Sequence, residues 1–288
     1  MTAMTMPAFP ALLLCLASAA TGPTLALEPV PGGLASSGKF FVQASFDGHV
    51  QRCLLDTGAT SSDVGGPAFQ AYQPVGKTGR KSASNQAEIE EAISIRAVGL
   101  GERQVLSARV ARHKASDASV VGMDLVGNAP FSLHCLPAPV LFWQPTKTLP
   151  QHGLQCLKGL MAVPVVVGGA PNLALWDTGA GLSCVSPALV KLHPEAFSFI
   201  QDLDQGLDGT GHRVAMKLYR AKKLTAGTQT FRNLSVLAID FKVIHEQLSK
   251  QAHVILGYNA IRQANWDFDP PHLRWDVSRQ LPAPVRPS

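Results

Sequence analysis

Apolar residues in this chain gather in short strand-like runs separated by turn residues. Phe40 to Phe46 (FFVQASF) is one such run. Asp47-Gly48 follows with the residues that a tight hairpin turn demands, and the chain returns through His49 to Leu55 into Asp56-Thr57-Gly58-Ala59. The same order recurs in the second half. Leu160 to Val167 (LMAVPVVV) predicts a strand that Pro164 confines to a sheet edge or a bulge. Gly168-Gly169 begins the turn, Leu173 to Trp176 returns, and Asp177-Thr178-Gly179-Ala180 follows. The two four-residue motifs lie 177 − 56 = 121 residues apart. Each half also closes alike, with Val120-Val121-Gly122-Met123-Asp124-Leu125 in the first and Val254-Ile255-Leu256-Gly257-Tyr258-Asn259 in the second. In both, an apolar strand meets a glycine and then a stretch able to begin a helix. Ala264 to Phe268 adds a further short strand. A repeat of this kind predicts a mostly β protein made of two matching lobes.

The repeat divides the chain into a first lobe at 34–135 and a second at 153–279. Residues 136–152 between them carry Pro137, Pro139, Pro145 and Pro150 and read as a stiff interlobe linker; 280–288, with three prolines, read as a tail. Residues 1–26 contain no charged side chain, and Pro10 to Ala20 is an apolar run too short to span a bilayer comfortably. Ala17-Ser18-Ala19 suits cleavage after Ala19, and a looser cut is open after Ala26. The leader is therefore expected to be a secretory signal peptide and the mature protein to be secreted or periplasmic, with no stable membrane insertion.

Composition narrows the class. Apolar residues make up 46% and charged residues 16%, with 25 Gly and 21 Pro, which excludes a long disordered chain, a coiled coil and a collagen-like repeat. The formal charge of +5 is spread without a basic block and does not argue for nucleic-acid binding. Without the leader four cysteines remain, Cys53, Cys135, Cys156 and Cys184. In an exported protein they permit two disulfides in any of three pairings; the alternative is four small buried thiols.

A strand that ends in Asp-Thr-Gly sets a carboxylate at a turn, where glycine lets backbone approach closely. One such site is an ordinary Asx turn. Two, in matching halves packed about a pseudo-twofold axis, would bring Asp56 and Asp177 together at that axis. Two adjacent carboxylates cannot both ionise easily, so they share one proton and titrate as a unit. The ionised member then activates a water and the protonated member polarises a scissile carbonyl, with no cofactor and no metal.

On these residues the sequence resembles the retropepsin-like aspartic proteases, with both lobes in one polypeptide as in pepsin-like enzymes. The resemblance covers roughly Gly38 to Val277 and rests on the paired Asp-Thr-Gly-Ala motifs, each followed by an apolar-apolar-Gly signature. It implies a bilobal acid-protease fold of two retropepsin-like β-barrel lobes, a polypeptide substrate, and activity in the monomer. It makes Asp56 and Asp177 the catalytic pair. Thr57 and Thr178 would hydrogen-bond across the axis, Gly58 and Gly179 would present backbone N–H groups to the carboxylates, and Gly122 and Gly257 would pack behind the loops. Gly209, Thr210 and Gly211 are the expected tip of a second-lobe flap, and Lys77 to Ala87 occupies the corresponding place in the first lobe. Ala59 and Ala180 stand where pepsin-like enzymes usually carry a hydroxyl that stabilises the ionised aspartate. Its loss predicts a pH optimum on the order of 4 to 6 rather than a strongly acid one.

Other signals carry less. Nine histidines show no compact metal-ligand spacing, and no serine sits in a G-x-S-x-G elbow. Cys184 reads as a disulfide partner or buried thiol rather than a nucleophile. Asn233-Leu234-Ser235 is a glycosylation sequon, meaningful only in a eukaryotic secretory pathway. The alternative function is a non-catalytic peptide-binding module on the same scaffold, gripping an extended chain by strand pairing.

Overall fold

A computed structural model describes residues 22–34, 36–81, 87–113, 119–143, 152–207 and 213–279. The fold is mostly β, with two eight-stranded sheets and a six-stranded sheet. The first-lobe sheet runs in the order Glu28–Pro31, Gly38–Phe46, His49–Leu55, Ser119–Val121, Asp63–Val64, Arg103–Arg112, Ala87–Leu100, Pro74–Lys81. The second-lobe sheet repeats that order with Gln155–Leu157, Leu160–Val167, Ala170–Trp176, Ala252–Leu256, Ser183–Val185, Gln229–Ala238, Arg213–Ala226 and Phe197–Leu207. In each lobe the second strand of the order also pairs with the seventh, Phe46 opposite Val98 in one and Val167 opposite Leu224 in the other, which curls the sheet on itself. Two barrel-like lobes result.

The hairpins expected from the sequence form. Gly38–Phe46 pairs with His49–Leu55 across Asp47 and Gly48, whose φ angles of 48° and 89° are the left-handed values such a turn requires. Gly168 and Gly169, at 58° and 80°, do the same between Leu160–Val167 and Ala170–Trp176. Pro164 corrects one expectation, because its strand has neighbours on both sides. Pairing with Gln155–Leu157 ends at Ala162 and pairing with Arg213–Ala226 begins at Val165, so the missing N–H falls in the gap and Pro164 itself is exposed.

The topology also explains why each Asp-Thr-Gly turn is rigid. Ser119–Val121 lies between His49–Leu55, which runs parallel to it, and Asp63–Val64, which runs antiparallel. Ala252–Leu256 lies in the same way between Ala170–Trp176 and Ser183–Val185. The loop that leaves each outer strand must therefore wrap around the end of the central one, and that loop carries the motif.

The six-stranded sheet joins the halves. Its order is Thr24–Ala26, Val140–Phe142, Phe131–His134, Ala264–Asp269, Arg274–Arg279, His152–Gly153. Phe131 pairs with Phe268 and Leu133 with Trp266, linking the end of one half to the end of the other. Against this sheet packs an aromatic cluster in which Trp176 lies 4.6 Å from Phe268, 5.9 Å from Trp266 and 6.2 Å from Phe131, ring centre to ring centre. All four rings are buried, each removing roughly 150–250 Å² from water. The cluster anchors the residue that immediately precedes Asp177. The segment read from sequence as a linker thus contributes the strand Val140–Phe142, and Thr24–Ala26, inside the expected leader, pairs with it residue for residue.

The expectation of disulfides is corrected, since Cys53, Cys135, Cys156 and Cys184 are all free thiols. Cys53 lies in the first-lobe sheet and Cys156 and Cys184 in the second, separated by three intervening strands, while Cys135 follows a strand of the joining sheet. Buried Cys53, Cys135 and Cys184 instead donate weakly to the carbonyls of Gln51, Ile261 and Leu182, at 3.7, 3.7 and 3.5 Å. Among the described residues no helix is long and apolar enough to cross a membrane.

Candidate active site

Asp56 and Asp177 meet between the lobes. A β-carbon built on Gly58 would sit 2.5 Å from Cγ of Asp177, and one on Gly179 would press equally hard on the carboxyl of Asp56. Each glycine therefore lies under the opposite lobe's aspartate, where no side chain fits. Gly58 N–H donates to Oδ1 of its own Asp56 at 2.9 Å, and Gly179 N–H to Oδ1 of Asp177 at 2.8 Å. The two carboxyls lie close enough that the charge of Asp56 acts on Asp177. Both residues keep some exposed surface, as the floor of a cleft does.

The two threonines cross over beneath them. Thr57 Oγ1 donates to the carbonyl of Trp176 at 2.9 Å, and Thr178 Oγ1 to the carbonyl of Leu55 at 2.7 Å. Each hydroxyl also accepts the backbone N–H of the opposite threonine, Thr57 N–H to Thr178 at 3.1 Å and Thr178 N–H to Thr57 at 3.0 Å. Both threonines are fully buried, so the exchange satisfies four backbone groups that water cannot reach.

The electrostatics follow from burial. It pushes both carboxyls above the ordinary aspartate value, and the charge of Asp56 pushes Asp177 further, up to about 8. The two carboxyls share one proton and titrate as a pair rather than singly. The two alanines behave differently. Ala180 N–H donates to Oδ1 of Asp177 at 3.2 Å, whereas Ala59 N–H donates to the backbone carbonyl of Asp56.

Behind the aspartates lies wiring that sequence reading missed. In the first lobe Asp56 N–H donates to Val121 O, Met123 N–H to Ala59 O, and Gly122 N–H to Ser62 Oγ. In the second lobe Asp177 N–H donates to Leu256 O, Tyr258 N–H to Ala180 O, and Gly257 N–H to Ser183 Oγ. Ser62 and Ser183 are both buried, and each stands six residues after its aspartate. That common spacing was the available signal, but a serine alone announces no chemistry. Gly122 and Gly257 are glycines because a β-carbon on either would lie within 3 Å of the opposing loop's backbone, at Ser61 and Leu182.

Other candidates separate from the site. Burial pushes the Cys184 thiol up to about 12, with the charge of Asp177 adding to it, so it cannot serve as a thiolate nucleophile. Phe197–Leu207 and Arg213–Ala226 form a hairpin paired as far as Leu207 opposite Arg213. Gly209, Thr210 and Gly211, the expected flap tip, lie outside the described residues, between those ends. The corresponding first-lobe hairpin pairs Pro74–Lys81 with Ala87–Leu100, ending at Lys81 opposite Ala87; of the expected Lys77–Ala87 segment, 77–81 and Ala87 belong to it, and 82–86 lie outside the described residues. Among the described residues no group of three His, Cys, Asp or Glu side chains could hold a metal ion.

Comparison with known proteins agrees with the class this geometry suggests. A family model described as aspartyl protease matches residues 163–260, a span that runs from within Leu160–Val167, the first strand of the hairpin that leads to Asp177, to just past Gly257 and Asn259. The match supports an aspartic protease family, with a protease-type function. No curated protein matches the chain.

Proposed function

We propose that this protein is an aspartic endopeptidase that hydrolyses peptide bonds with Asp56 and Asp177 as one intramolecular pair. The observation that carries the reading is the crossed packing of the two motifs, with Gly58 under Asp177 and Gly179 under Asp56. The ionised carboxylate of the pair accepts a proton from a water whose oxygen attacks the peptide carbonyl, while the protonated carboxyl gives its proton to the carbonyl oxygen. The tetrahedral gem-diol collapses as the amide nitrogen takes the proton that came from water, a gem-diol hydroxyl returns its proton to the other carboxylate, and the C–N bond breaks to release amine and acid, which leaves the pair singly protonated again. No covalent intermediate and no metal are required. An extended polypeptide lying across the two aspartates is the substrate, and the cleft is complete within one chain. The apolar run Pro10 to Ala20, with Ala17-Ser18-Ala19 suited to cleavage, supports export, and hence action outside the cytoplasm.

The test is to incubate the purified protein with a complex peptide mixture from pH 3 to 8 and read new termini by mass spectrometry, beside Asp56→Asn and Asp177→Asn. Cleavage that either substitution abolishes supports the reading. A folded wild-type protein that cuts nothing, yet retains extended peptides, turns the reading to a binding module.

A further inference from the structure

The matching wiring of the two lobes differs at one residue. In the second lobe Asn259 anchors Ser183, its Oδ1 accepting from Ser183 N–H and from Ser183 Oγ–H, both at 2.8 Å, while its amide donates to Ser235 O at 2.7 Å. In the first lobe Asp124 stands in that place. Its Oδ2 accepts Ser62 N–H at 3.0 Å and its Oδ1 accepts Ser62 Oγ–H at 2.6 Å and Leu125 N–H at 3.0 Å. In both lobes the anchored serine uses its hydroxyl proton on this acceptor and is left to receive the N–H of the signature glycine, Gly122 or Gly257. The anchor therefore fixes which way the serine hydroxyl points, and through it the join between the Asp-Thr-Gly loop and the central strand.

We propose that Asp124 is a positioning residue for Asp56, and that it works as a hydrogen-bond acceptor interchangeable with the amide oxygen that Asn259 supplies in the other lobe. This rests on the peptidase reading above. Asp124 does not touch the dyad. It acts through Ser62, Gly122 and the Met123 N–H bond to Ala59 O at 2.9 Å, three residues from Asp56. Without it the Ser62 hydroxyl loses its orienting acceptor and two donors inside the lobe lose their partner. The Asp56 side of the pair then drifts while the Asp177 side, held by Asn259, stays in place. Displacements of this kind cost catalysis rather than substrate binding, on the order of 10²-fold for an ångström.

The experiment compares wild type, Asp124→Asn and Asp124→Ala in the full chain. Expected are a kcat reduced by about 10²-fold in Asp124→Ala with KM within about twofold of wild type, and a kcat within a few-fold of wild type in Asp124→Asn. A merely structural residue would lower the amount of folded protein in Asp124→Ala without that split and without rescue by the amide. A second readout needs no turnover: ¹³C-aspartate labelling follows the Asp56 and Asp177 carboxyls through a pH titration. Asp124→Ala should move the Asp56 titration and leave Asp124→Asn like wild type. Unchanged kcat and unchanged titration in folded Asp124→Ala overturn the proposal, as does an Asp124→Asn protein no better than the alanine variant. If no variant, wild type included, cleaves peptides while the carboxyl titrations respond as stated, the peptidase reading fails and the positioning role stands.

Discussion

Gly58 and Asp177 belong to different lobes, yet a β-carbon on the glycine would fall 2.5 Å from the aspartate's Cγ. Gly179 and Asp56 repeat the relationship with the lobes exchanged. The two motifs are thus interlocked, each carboxyl packed against the other lobe's glycine.

Replacing either glycine by alanine should therefore lower activity sharply while leaving most of the fold. The added methyl displaces the opposite carboxyl by a fraction of an ångström to an ångström, enough to lower kcat by about 10²-fold. Steady-state kinetics with circular dichroism on Gly58→Ala and Gly179→Ala checks this. A folded variant with wild-type kcat would contradict the interlock.

The threonine exchange should be visible in stability. Thr57→Val keeps the volume but leaves the Thr178 N–H and the Trp176 carbonyl without their hydrogen-bond partner in the interior. At about 1–3 kcal/mol for each of the two orphaned groups, the variant should lose roughly 2–6 kcal/mol of unfolding free energy. Thr178→Val should lose a similar amount, through Thr57 N–H and Leu55 O. Urea denaturation measures both.

The dyad also sets a pH dependence whose sign is fixed. Both carboxyls are raised by burial, so the folded state holds protons that the unfolded state releases. The stability this lends is full below the unfolded aspartate value near 4 and is lost as pH rises towards about 8, where Asp177 ionises. Activity follows the singly protonated pair. It should rise on the acid side as the pair loses its first proton and fall on the alkaline side as it loses the second. Thermal unfolding of wild type against Asp177→Asn, measured from pH 4 to 8, should show a larger decline in the wild type than in the variant, where buried Asp56 alone still titrates. An activity maximum near pH 2 would contradict the raised pair.

Much of this was legible in the chain. The 121-residue repeat of Asp-Thr-Gly-Ala located the aspartates, and the Asp47-Gly48 and Gly168-Gly169 turns located the hairpins that deliver them, because these depend on local backbone chemistry. The joining sheet was not legible. Its strands come from Thr24, Phe131, Val140, His152, Ala264 and Arg274 onward, and pairing between such distant short runs leaves no local period. Ser62 and Asp124 were missed for a related reason: each is ordinary alone and acquires its role only when the loop wraps the central strand. The disulfide expectation failed because an even cysteine count says nothing of where the repeat distributes them.

The joining sheet gives a prediction about the N-terminus. Leu25 and Leu27 are buried, Thr24–Ala26 pairs with Val140–Phe142, and Trp143 N–H donates to Pro23 O at 3.0 Å. A chain beginning at Gly22 should unfold like the full protein, whereas one beginning at Glu28 should be less stable by about 3–6 kcal/mol, the worth of two buried leucines. If the leader is removed on export, the cut should therefore lie upstream of Gly22, as after Ala19, and not after Ala26. Denaturation of the two truncations and mass spectrometry of the exported protein check the pair of statements.

The central claim is that one chain supplies both aspartates of a single site. The most direct measurement is the peptide-cleavage rate of Asp56→Asn and Asp177→Asn, each alone and then mixed in equal amounts. The account predicts no cleavage in any of the three samples, since every chain in the mixture still carries one asparagine in its own pair. Cleavage that returns on mixing would mean that the pair is assembled between two chains, and cleavage at the wild-type rate by either variant alone would mean that no such pair does the chemistry.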